Sequence, residues 1–463
     1  MKTQEEKNIS AAQSEENSYE LDHEIMDSIS DALDRNDDEK LRELVKTMHA
    51  ADIAEVINVF DYEQRKKFTK AIRKDLNPEV LVDLEPNIKD EVLEYLGPER
   101  SANFIAKLDT DDAINFIEDL HKNEQNEILA AIPEKQREVL REGLSYPEDA
   151  AGRLMNKKFV AVSENWTVGQ TIDYMRSSSG LPDDFYSIFV LDKDMRPVGD
   201  VLVSRVMRKK RDVLIKDIME TDTKTINLDT DQEEVAYLFR KYAISSAPVI
   251  GKDGKILGII TLDDVINIVQ EEAEEDIMHL GGITSIDLHS ASLKTAIGRF
   301  PWLFINLLTA IAASVIIAIF QDSIEKLVAL AVLMPIIASM AGNAGTQTLT
   351  IAVRAIATKD LTATNALRIV RKEVAAAIIN GLFFAVIVSI SSFVLYHNFY
   401  LSFVFGVATA VALLFAGLSG VTIPLILARM GVDPAIASGV FLTTITDMSS
   451  FFVFLGLATL MLF

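Results

Sequence analysis

The chain has 463 residues, of which 49% are hydrophobic, and its 68 Asp and Glu against 45 Lys and Arg give a formal net charge of −23. Residues 1–296 carry 37 basic and 62 acidic side chains, whereas residues 297–463 carry 8 and 6. This division excludes a single compact soluble domain and indicates an acidic soluble part followed by a membrane part. An acidic surface repels nucleic acid and attracts cations, and a chain without Cys has neither a disulfide nor a thiolate metal site.

Residues 1–20 are polar and contain little that a fold could bury, so we expect a disordered tail. They also lack the apolar core of a cleavable signal peptide, and the soluble part is therefore expected in the cytoplasm. From residue 21 to 145, apolar residues recur at three and four positions, and the stretch around Ile57 matches the stretch around Ile117 at a shift of 60. This pattern predicts stacked helical hairpins in an all-α superhelical N-domain.

Residues 146–270 change to short β-branched runs that alternate with helical ones. Two matches, at shifts of 64 and 59, indicate an internal repeat of the order β-α-β-β-α. The repeat resembles the cystathionine-β-synthase (CBS) domain, with a first copy at 146–216 and a second at 217–270, and two such copies normally pair. Thr261 and Asp264 fit the Thr-x-x-Asp pattern by which CBS modules hold a ribose. Nucleotide binding, with ATP as a modulator, is therefore a second hypothesis for this module.

Residues 271–296 are predicted to form a helix that connects the CBS pair to the membrane. Glu272, Glu275 and Asp276 fall within an arc of roughly 100° at helical spacing and form one acidic stripe. Such a stripe is more often a solvated face than a site. Its position before the membrane favours a gate, in which divalent cations bridge it to other acids and their loss lets the like charges repel. The six histidines have no ligand spacing and are predicted to be surface or interface residues.

Residues 297–463 are predicted to cross the membrane five times. Uncharged runs at 300–321 and 327–353 are each long enough to span about 30 Å as a helix. The uncharged run 374–428 is too long for one helix and is expected to turn at residues 396–400, and residues 434–463 supply the fifth span. The loop between spans two and three is basic, whereas the turn at 396–400 has no Lys or Arg. This asymmetry predicts a multi-pass protein of the cytoplasmic membrane with its N-terminus inside and its C-terminus outside.

Span two contains Asn343 between Gly342 and Gly345. The glycines permit close helix approach and expose backbone carbonyls, while the Asn amide offers a hard oxygen ligand. Gly342 and Gly345 are candidate pore-lining residues, although small-residue packing is the favoured interpretation for the two glycines alone; for Asn343, an interhelical hydrogen bond and a place on the ion path are equally favoured.

Span five contains Asp447, a candidate metal ligand, beside Thr443, Thr444 and Thr446, which are candidate pore-lining residues. A carboxylate at mid-bilayer costs about 2.5–3.5 kcal/mol, and no Lys or Arg lies within the five predicted spans. A water-filled path or a cation is therefore favoured over an ion pair. Oxygen donors without sulfur or imidazole favour a hard cation such as Mg²⁺, which passes most readily in hydrated form. One carboxylate supplies only one negative charge, which is too little to balance a dication. We therefore expect a homodimer that brings two copies of Asp447 to a shared axis.

Taken together, the acidic helical domain, the CBS pair, the acidic helix and five spans with the motifs PIIASMAGNAGTQ (335–347) and TTITDMSSFFVF (443–454) resemble the MgtE family of magnesium channels or transporters. The resemblance covers about residues 21–463. It implies a homodimeric Mg²⁺-selective pore that is closed by cytoplasmic Mg²⁺ bound between the soluble domains and the connecting, or plug, helix.

The resemblance also implies roles for individual residues. Asp447 would be the pore carboxylate, with Asn343 and Asp433 at the cytoplasmic side of the path. The acids implied on the second CBS domain and the plug helix are Asp264, Glu272, Glu275 and Asp276. Two departures are Ala341, where a glycine is commonest, and Asn267, where an acid is common; the second puts one regulatory site in doubt.

The sequence has no Gly-rich motif ending in Lys-Ser/Thr, so we expect neither nucleotide hydrolysis nor another enzyme activity. The membrane potential would then drive entry, by about 4.6 kcal/mol for a dication at 100 mV. Two other functions remain open, namely transport of another divalent cation such as Co²⁺ or Mn²⁺ and a non-conducting CBS sensor of Mg²⁺ or nucleotide. A transporter of anionic solutes is disfavoured because the spans contain no buried cation.

Overall fold

The computed structural model describes residues 23–182, 184–283, 292–362 and 364–463. The predicted tail at 1–20 lies outside the described residues. The chain divides into two compact units, one ending at Asn267 and the other beginning at Ile268. The prediction of an all-α N-domain, two CBS domains and five membrane helices is confirmed.

The N-domain is a stack of short helices. Several begin at polar caps: His49 and Asp61, for example, each close a capping box at the start of a helix. The amphipathic helices bury their aliphatic faces in one continuous core that includes Ile57, Phe68 and Ile117. The nine helices described here are α1 (His23–Asp34), α2 (Asp38–Val45), α3 (Ala50–Val59), α4 (Tyr62–Ile72), α5 (Pro86–Leu96), α6 (Pro98–Ile105), α7 (Thr110–Glu118), α8 (Lys122–Ala131) and α9 (Glu134–Gly143).

The two CBS domains share one topology. Each has a three-stranded sheet in which the first pair of strands is parallel and the second antiparallel. The first comprises β1 (Ala161–Ser163), α10 (Val168–Ser177), β2 (Ser187–Leu191), β3 (Pro197–Leu202) and α11 (Val203–Met207). The second comprises β4 (Ile226–Asn227), α12 (Gln232–Tyr242), β5 (Ser246–Ile250), β6 (Ile256–Thr261) and α13 (Leu262–Leu280).

Gly199 and Gly258 occupy equivalent places in the two sheets. A Cβ on Gly199 would lie 2.5 Å from the carbonyl oxygen of Glu220, and one on Gly258 would lie 2.7 Å from that of Asn156. In each case the backbone that approaches belongs to the segment leading into the other half of the pair. Glycine is therefore required at both positions for the two CBS domains to pack together.

Helix α13 crosses the predicted boundary between the second CBS domain and the connecting segment. That boundary was placed at residues 270 and 271, and α13 is continuous from Leu262 to Leu280, so one helix belongs to both. The segment contains no Gly or Pro that would break it. Just beyond its end, Gly282 has a φ of 70°, a left-handed conformation that glycine adopts without strain. The rest of the predicted connection, from 284 to 291, lies outside the described residues.

The membrane helices are α14 (Ser292–Ile319), α16 (Ala329–Ala357), α17 (Ala366–Tyr396), α18 (Phe399–Arg429) and α19 (Pro434–Leu462), with a short α15 (Gln321–Lys326) between the first two. The turn between α17 and α18 falls where it was predicted, with His397 at a φ of 52° and Asn398 capping α18. Helix α18 is the most enclosed of the five, whereas α14 is almost entirely exposed along its apolar length. The exposed helices therefore present hydrocarbon-like surface to lipid or to another protein.

Candidate functional site

Four polar side chains form an exposed stripe along the membrane helix α16. Asn343, Thr346, Gln347 and Thr350 are spaced by three and four residues, which places them on one helix face. The hydroxyls of Thr346 and Thr350 donate to carbonyl oxygens one turn earlier, at 2.9 and 3.0 Å, so their own oxygens remain available as acceptors. Polar groups are costly in hydrocarbon, and this face is therefore suited to an aqueous path or to another polar helix.

Asp447 lies near the middle of α19 and is partly buried. It takes no part in the ion pairs found among the described residues. Two neighbouring hydroxyls, those of Thr443 and Thr444, donate to carbonyls of their own helix at 2.9 and 2.7 Å. Thr443 is exposed and Thr444 partly exposed, so their oxygens can still accept hydrogen bonds beside a carboxylate, an arrangement that attracts a hydrated cation.

Two predicted pore-lining residues have packing roles instead. Gly345 is buried, and a Cβ there would lie 3.0 Å from Leu442. Its carbonyl oxygen is 2.7 Å from the place where a Cβ on Gly420 would stand, so the residue lets α16, α18 and α19 approach closely. Thr446 has no exposed surface and donates to the carbonyl of Leu442 at 3.0 Å. Neither residue's predicted place on a pore wall is supported, whereas Gly342 has open space beside it.

An acidic cluster forms in the soluble unit where α7 and α13 begin. Burial and the neighbouring charge of Asp264 raise the pKa of Asp112 to about 7 and that of Asp111 well above its usual range. Burial also raises the pKa of Asp264 to about 6, although hydrogen bonds from Thr261 act in the opposite direction. The cluster consists of Asp109, Asp111, Asp112, Asp263 and Asp264. Like charges held this close oppose folding unless a cation or protons neutralise them.

Two details mark this acidic cluster as a place for a cation. Asp111 is only 4% exposed, and its Oδ1 has no hydrogen-bond partner, which is a costly state for a buried oxygen. At the edge of the cluster, Nζ of Lys158 pairs with Oδ1 of Asp109 at 2.8 Å. The lysine neutralises one carboxylate, and the ion pairs among the described residues include neither Asp111 nor Asp112.

Thr261 and Asp264, the predicted ribose-binding pair, bond to each other. The Thr261 hydroxyl donates to Oδ2 of Asp264 at 2.5 Å, and the Thr261 backbone N–H donates to the same oxygen at 3.3 Å. The aspartate thus closes the N-terminus of α13 in the manner of a capping box. The other carboxylate oxygen of Asp264, Oδ1, remains available to a cation bound at the acidic cluster.

A second group of polar residues joins the end of α13 to the start of α19. His279 was predicted to be a surface or interface residue; its side chain is 12% exposed and lies between two carboxylates. Nδ1 is 3.3 Å from Oδ2 of Asp433, and Nε2 is 3.6 Å from Oε1 of Glu275. Burial and the charge of Asp433 raise the pKa of Asp276, and His279 lowers it. Glu272 lies one turn earlier and is half-buried.

Among the described residues, no three His, Asp or Glu side chains already converge at metal-ligand distances. Mg²⁺ holds its water shell strongly and is commonly bound through water by one or two carboxylates. A cluster of separated carboxylates is therefore compatible with hydrated Mg²⁺, although it would not be a preformed cage.

Comparison with known proteins gives three family matches along the chain. The MgtE intracellular N domain matches residues 48–149, the CBS domain matches 151–212 and 215–271, and the divalent cation transporter model MgtE matches 334–457. A magnesium transporter MgtE of Enterococcus faecalis is 32% identical over 69% of this chain and 71% of its own length. The chain belongs to the MgtE family.

Other members of the MgtE family align along most of the chain. The magnesium transporter MgtE of Thermus thermophilus is 29% identical over 96% of this chain and 99% of its own length, and that of Bacillus subtilis is 27% identical over 90% and 93%. A crystal structure of the cytosolic domain of the Mg²⁺ channel MgtE in complex with ATP matches 52% of this chain and 99% of its own, with 28% identity and a TM-score of 0.50.

The regions matched by the family models contain the candidate residues of both the membrane part and the N-domain. Asn343, Asp433 and Asp447 fall within the matched transporter region, and Asp111 and Asp112 fall within the matched N domain. Sequence reasoning missed the last two because acids are common in the first turn of any helix. It also missed Thr346, Gln347 and Thr350, although their polar spacing along an apolar span was a readable signal.

Proposed function

We propose that the chain is a magnesium transporter that conducts Mg²⁺ through a path lined by the polar stripe of α16 and by Asp447. The observation that supports it most is the packing of α16, which exposes the amides of Asn343 and Gln347, against α19, which carries the partly buried Asp447. Carboxylate and amide groups are energetically costly when they face lipid, but they interact favourably with a hydrated dication. The names of the relatives support Mg²⁺ as the cation, with the membrane potential favouring entry into the cytoplasm.

The same proposal includes closure by cytoplasmic Mg²⁺. The acidic cluster at Asp111, Asp112 and Asp264 is destabilised by its own charge, so bound Mg²⁺ would stabilise the packing of the N-domain against the second CBS domain. Its loss would let these elements separate. We assign a second regulatory position to the end of α13, where Glu275, Asp276 and Asp433 carry the acids. The basic loop between α16 and α17 supports an orientation with the soluble unit in the cytoplasm.

A homodimer is part of the proposal. Leu262, Ile266 and Val269 are exposed on one face of α13, and Leu202 and Met207 are exposed at the equivalent end of the first CBS domain. Exposed apolar side chains that recur at equivalent places in two repeated domains favour a self-complementary interface with a second copy. The second copy would also supply a second Asp447 to the path.

ATP binding is the finer part of the proposal. It rests on the relative whose cytosolic domain was crystallised with ATP and on the Thr261 hydroxyl, which would have to release Asp264 or share it with a ribose. The nucleotide would act as a modulator, since the chain has no motif for hydrolysis.

The direct test is Mg²⁺ uptake into proteoliposomes that contain the purified chain and a Mg²⁺-sensitive dye. Asp447→Asn keeps the side-chain volume and removes the charge, and we expect at least about a tenfold loss of uptake, because a cation in the path loses its anionic partner. Asp322→Asn, which changes an acid of the short helix α15, should leave uptake near wild type. Wild-type uptake in the Asp447 variant would contradict the proposed path.

A further inference from the structure

We propose that Arg368, Arg371 and Lys372, at the start of the membrane helix α17, bind the phosphate of an anionic phospholipid whose acyl chains lie along the exposed apolar face of the same helix. The three side chains are exposed, and guanidinium and ammonium groups form strong charge-assisted hydrogen bonds with phosphate oxygens. This site goes beyond the proposed transport of Mg²⁺, and lipid binding to it does not depend on that function.

Helix α17 has one face that packs against α18. A Cβ on Gly381 would lie 3.1 Å from the carbonyl oxygen of Ala410 in α18, and Val388 and Ser392 are also buried. At 100° per residue, Gly381, Val388 and Ser392 lie roughly 120–160° from Arg368 around the helix. The face that carries Arg368 is therefore turned away from α18.

The exposed face of α17 is basic in its first turns and apolar after them. Lys372 lies about 40° from Arg368 around the helix, and Arg371 lies about 60° away on the other side. Four apolar side chains fall within the same arc, each between 59% and 68% exposed: Ile379, Leu382, Val386 and Ile390. A phospholipid has the same order of groups, a charged phosphate followed by hydrocarbon chains, so this face is complementary to one.

The length of α17 places the three basic residues at the level of the lipid phosphates. The helix has 31 residues, which gives about 46 Å at 1.5 Å per residue, whereas the hydrocarbon core of a bilayer is about 30 Å thick. The uncharged part of the helix, residues 374–396, accounts for about 34 Å. The basic residues lie just before this part, on the side of the α16–α17 loop, and therefore in the headgroup region.

The three cations have no ion-pair partner in the part of the chain that the structure describes. The adjacent acid, Glu373, lies roughly 140° from Arg368 around the helix. Its carbonyl oxygen is 3.7 Å from the place where a Cβ on Gly417 of α18 would stand, which puts the residue on the packed side. Like charges three or four residues apart in a helix repel each other. A phosphate bound between them removes that repulsion.

An anionic phospholipid fits this face better than a soluble anion or a second copy of the chain. A soluble phosphate would leave the exposed apolar residues beyond Lys372 without a partner. A symmetric contact through the same face of a second copy would bring three cations against three cations. In the proposed orientation this end of α17 lies at the cytoplasmic leaflet, which carries anionic lipids; the choice of leaflet, but not the binding, rests on that orientation.

The test titrates the purified full chain in detergent with phosphatidylglycerol or phosphatidylcholine and counts bound lipids by native mass spectrometry. We expect the wild type to bind its first phosphatidylglycerol more tightly than phosphatidylcholine. The triple variant Arg368→Gln, Arg371→Gln and Lys372→Gln should weaken that binding at least about tenfold and leave phosphatidylcholine binding unchanged. The double variant Arg368→Lys and Arg371→Lys keeps the charges and should retain most of the affinity.

The matched control removes the same charge elsewhere. Arg208→Gln, Lys209→Gln and Lys210→Gln change three exposed cations of the first CBS domain, and phosphatidylglycerol binding should stay at the wild-type level. Thermal unfolding without added lipid verifies that each variant is folded, because the substituted side chains are exposed and should not alter it.

Three results would overturn the inference. They are equal affinity of the wild type for the two lipids, equal phosphatidylglycerol affinity in the wild type and the α17 triple variant, and an equal loss in the CBS control, which would reflect net charge alone. Glycerol 3-phosphate serves as the soluble competitor. If it displaced phosphatidylglycerol at equimolar concentration, a free anion would suffice and the assignment to a lipid would fail.

Discussion

Asp112 of α7 shows how a single carboxylate can make the stability of the soluble unit depend on cations. Asp112 has a pKa raised to about 7, chiefly by burial and by the charge of Asp264. The folded state therefore binds a proton more tightly than the unfolded chain, and the stability that this proton confers is present below pH 4 and lost as the pH rises through about 7. At neutral pH and above, this proton is lost, and a divalent cation must then neutralise the carboxylate charge.

Asp112→Asn tests this balance in the full chain. Without Mg²⁺ at pH 8, the variant should unfold at a higher temperature than the wild type, by about 2–4 °C for each kcal/mol of repulsion removed. It should also gain less from lowering the pH to 6 and less from added Mg²⁺. The comparison is thermal unfolding with and without Mg²⁺ at both pH values, with Asp212→Asn on the first CBS domain as the control. A larger Mg²⁺ effect in the Asp112 variant than in the wild type would contradict the assignment of the cluster as a cation site.

At the residue scale, the sequence predicted the acids that lie in recognisable motifs and missed those defined by tertiary contact. Asp447 stands out because a charge in an apolar span has few explanations. Asp111 looks like any acid near a helix start until Asp264, more than 150 residues later, is seen beside it. His279 was undervalued for the same reason, since its partner Asp433 is 154 residues away.

Among the elements, α13 belongs to the segment between the second CBS domain and the first membrane helix, and Gly282, just after its end, lies beside Trp302 of α14. Gly282 has a φ of 70°, and a Cβ there would overlap the indole ring of Trp302. A side chain at this position is therefore opposed both by backbone strain and by the tryptophan. The geometry requires glycine where the acidic helix ends.

Gly282→Ala should disturb the end of α13 without touching any proposed ligand. We expect the midpoint for inhibition by cytoplasmic Mg²⁺ to shift to higher concentration, because the helix end can no longer rest on Trp302. Gly298→Ala is the matched control on α14, where a Cβ meets open space. The two variants are compared in Mg²⁺ uptake at several internal Mg²⁺ concentrations. Equal inhibition in both would show that this contact does not transmit the signal.

Most elements were predictable because each carries its own signal. The spans follow from uncharged length, and the CBS repeat reappears as two sheets with the same register of paired strands, Ser187 with Leu202 and Ser246 with Thr261. The continuity of α13 across the predicted domain boundary follows from local helix propensity, which a division between domains does not interrupt. Gly345 was placed on the pore wall because small residues serve packing and pores alike, and only the neighbouring helices distinguish the two.

For the whole molecule, the proposed dimer depends on apolar side chains that one copy leaves exposed. Ile266 lies in the middle of the exposed face of α13. Ile266→Asp places a charge where the second copy would pack. We expect the dimer of this variant in detergent to dissociate at a protein concentration at least about tenfold higher than the wild-type dimer does. Val59→Asp, at an exposed position of the N-domain, should leave the mass unchanged. Light scattering after size-exclusion chromatography checks both, and an unchanged mass in both variants would remove this face from the interface.

The most direct test of the whole account is the current carried by Mg²⁺ through patches that contain the purified chain, recorded as Mg²⁺ on the cytoplasmic face is raised from micromolar to millimolar. The account predicts a current at low Mg²⁺ that falls as Mg²⁺ rises, with the fall shifted to higher Mg²⁺ when Asp111 and Asp112 are both changed to Asn. A current that does not change with the cytoplasmic Mg²⁺ concentration would contradict the proposed closure by Mg²⁺. No Mg²⁺ current from folded, inserted protein would contradict the conducting path.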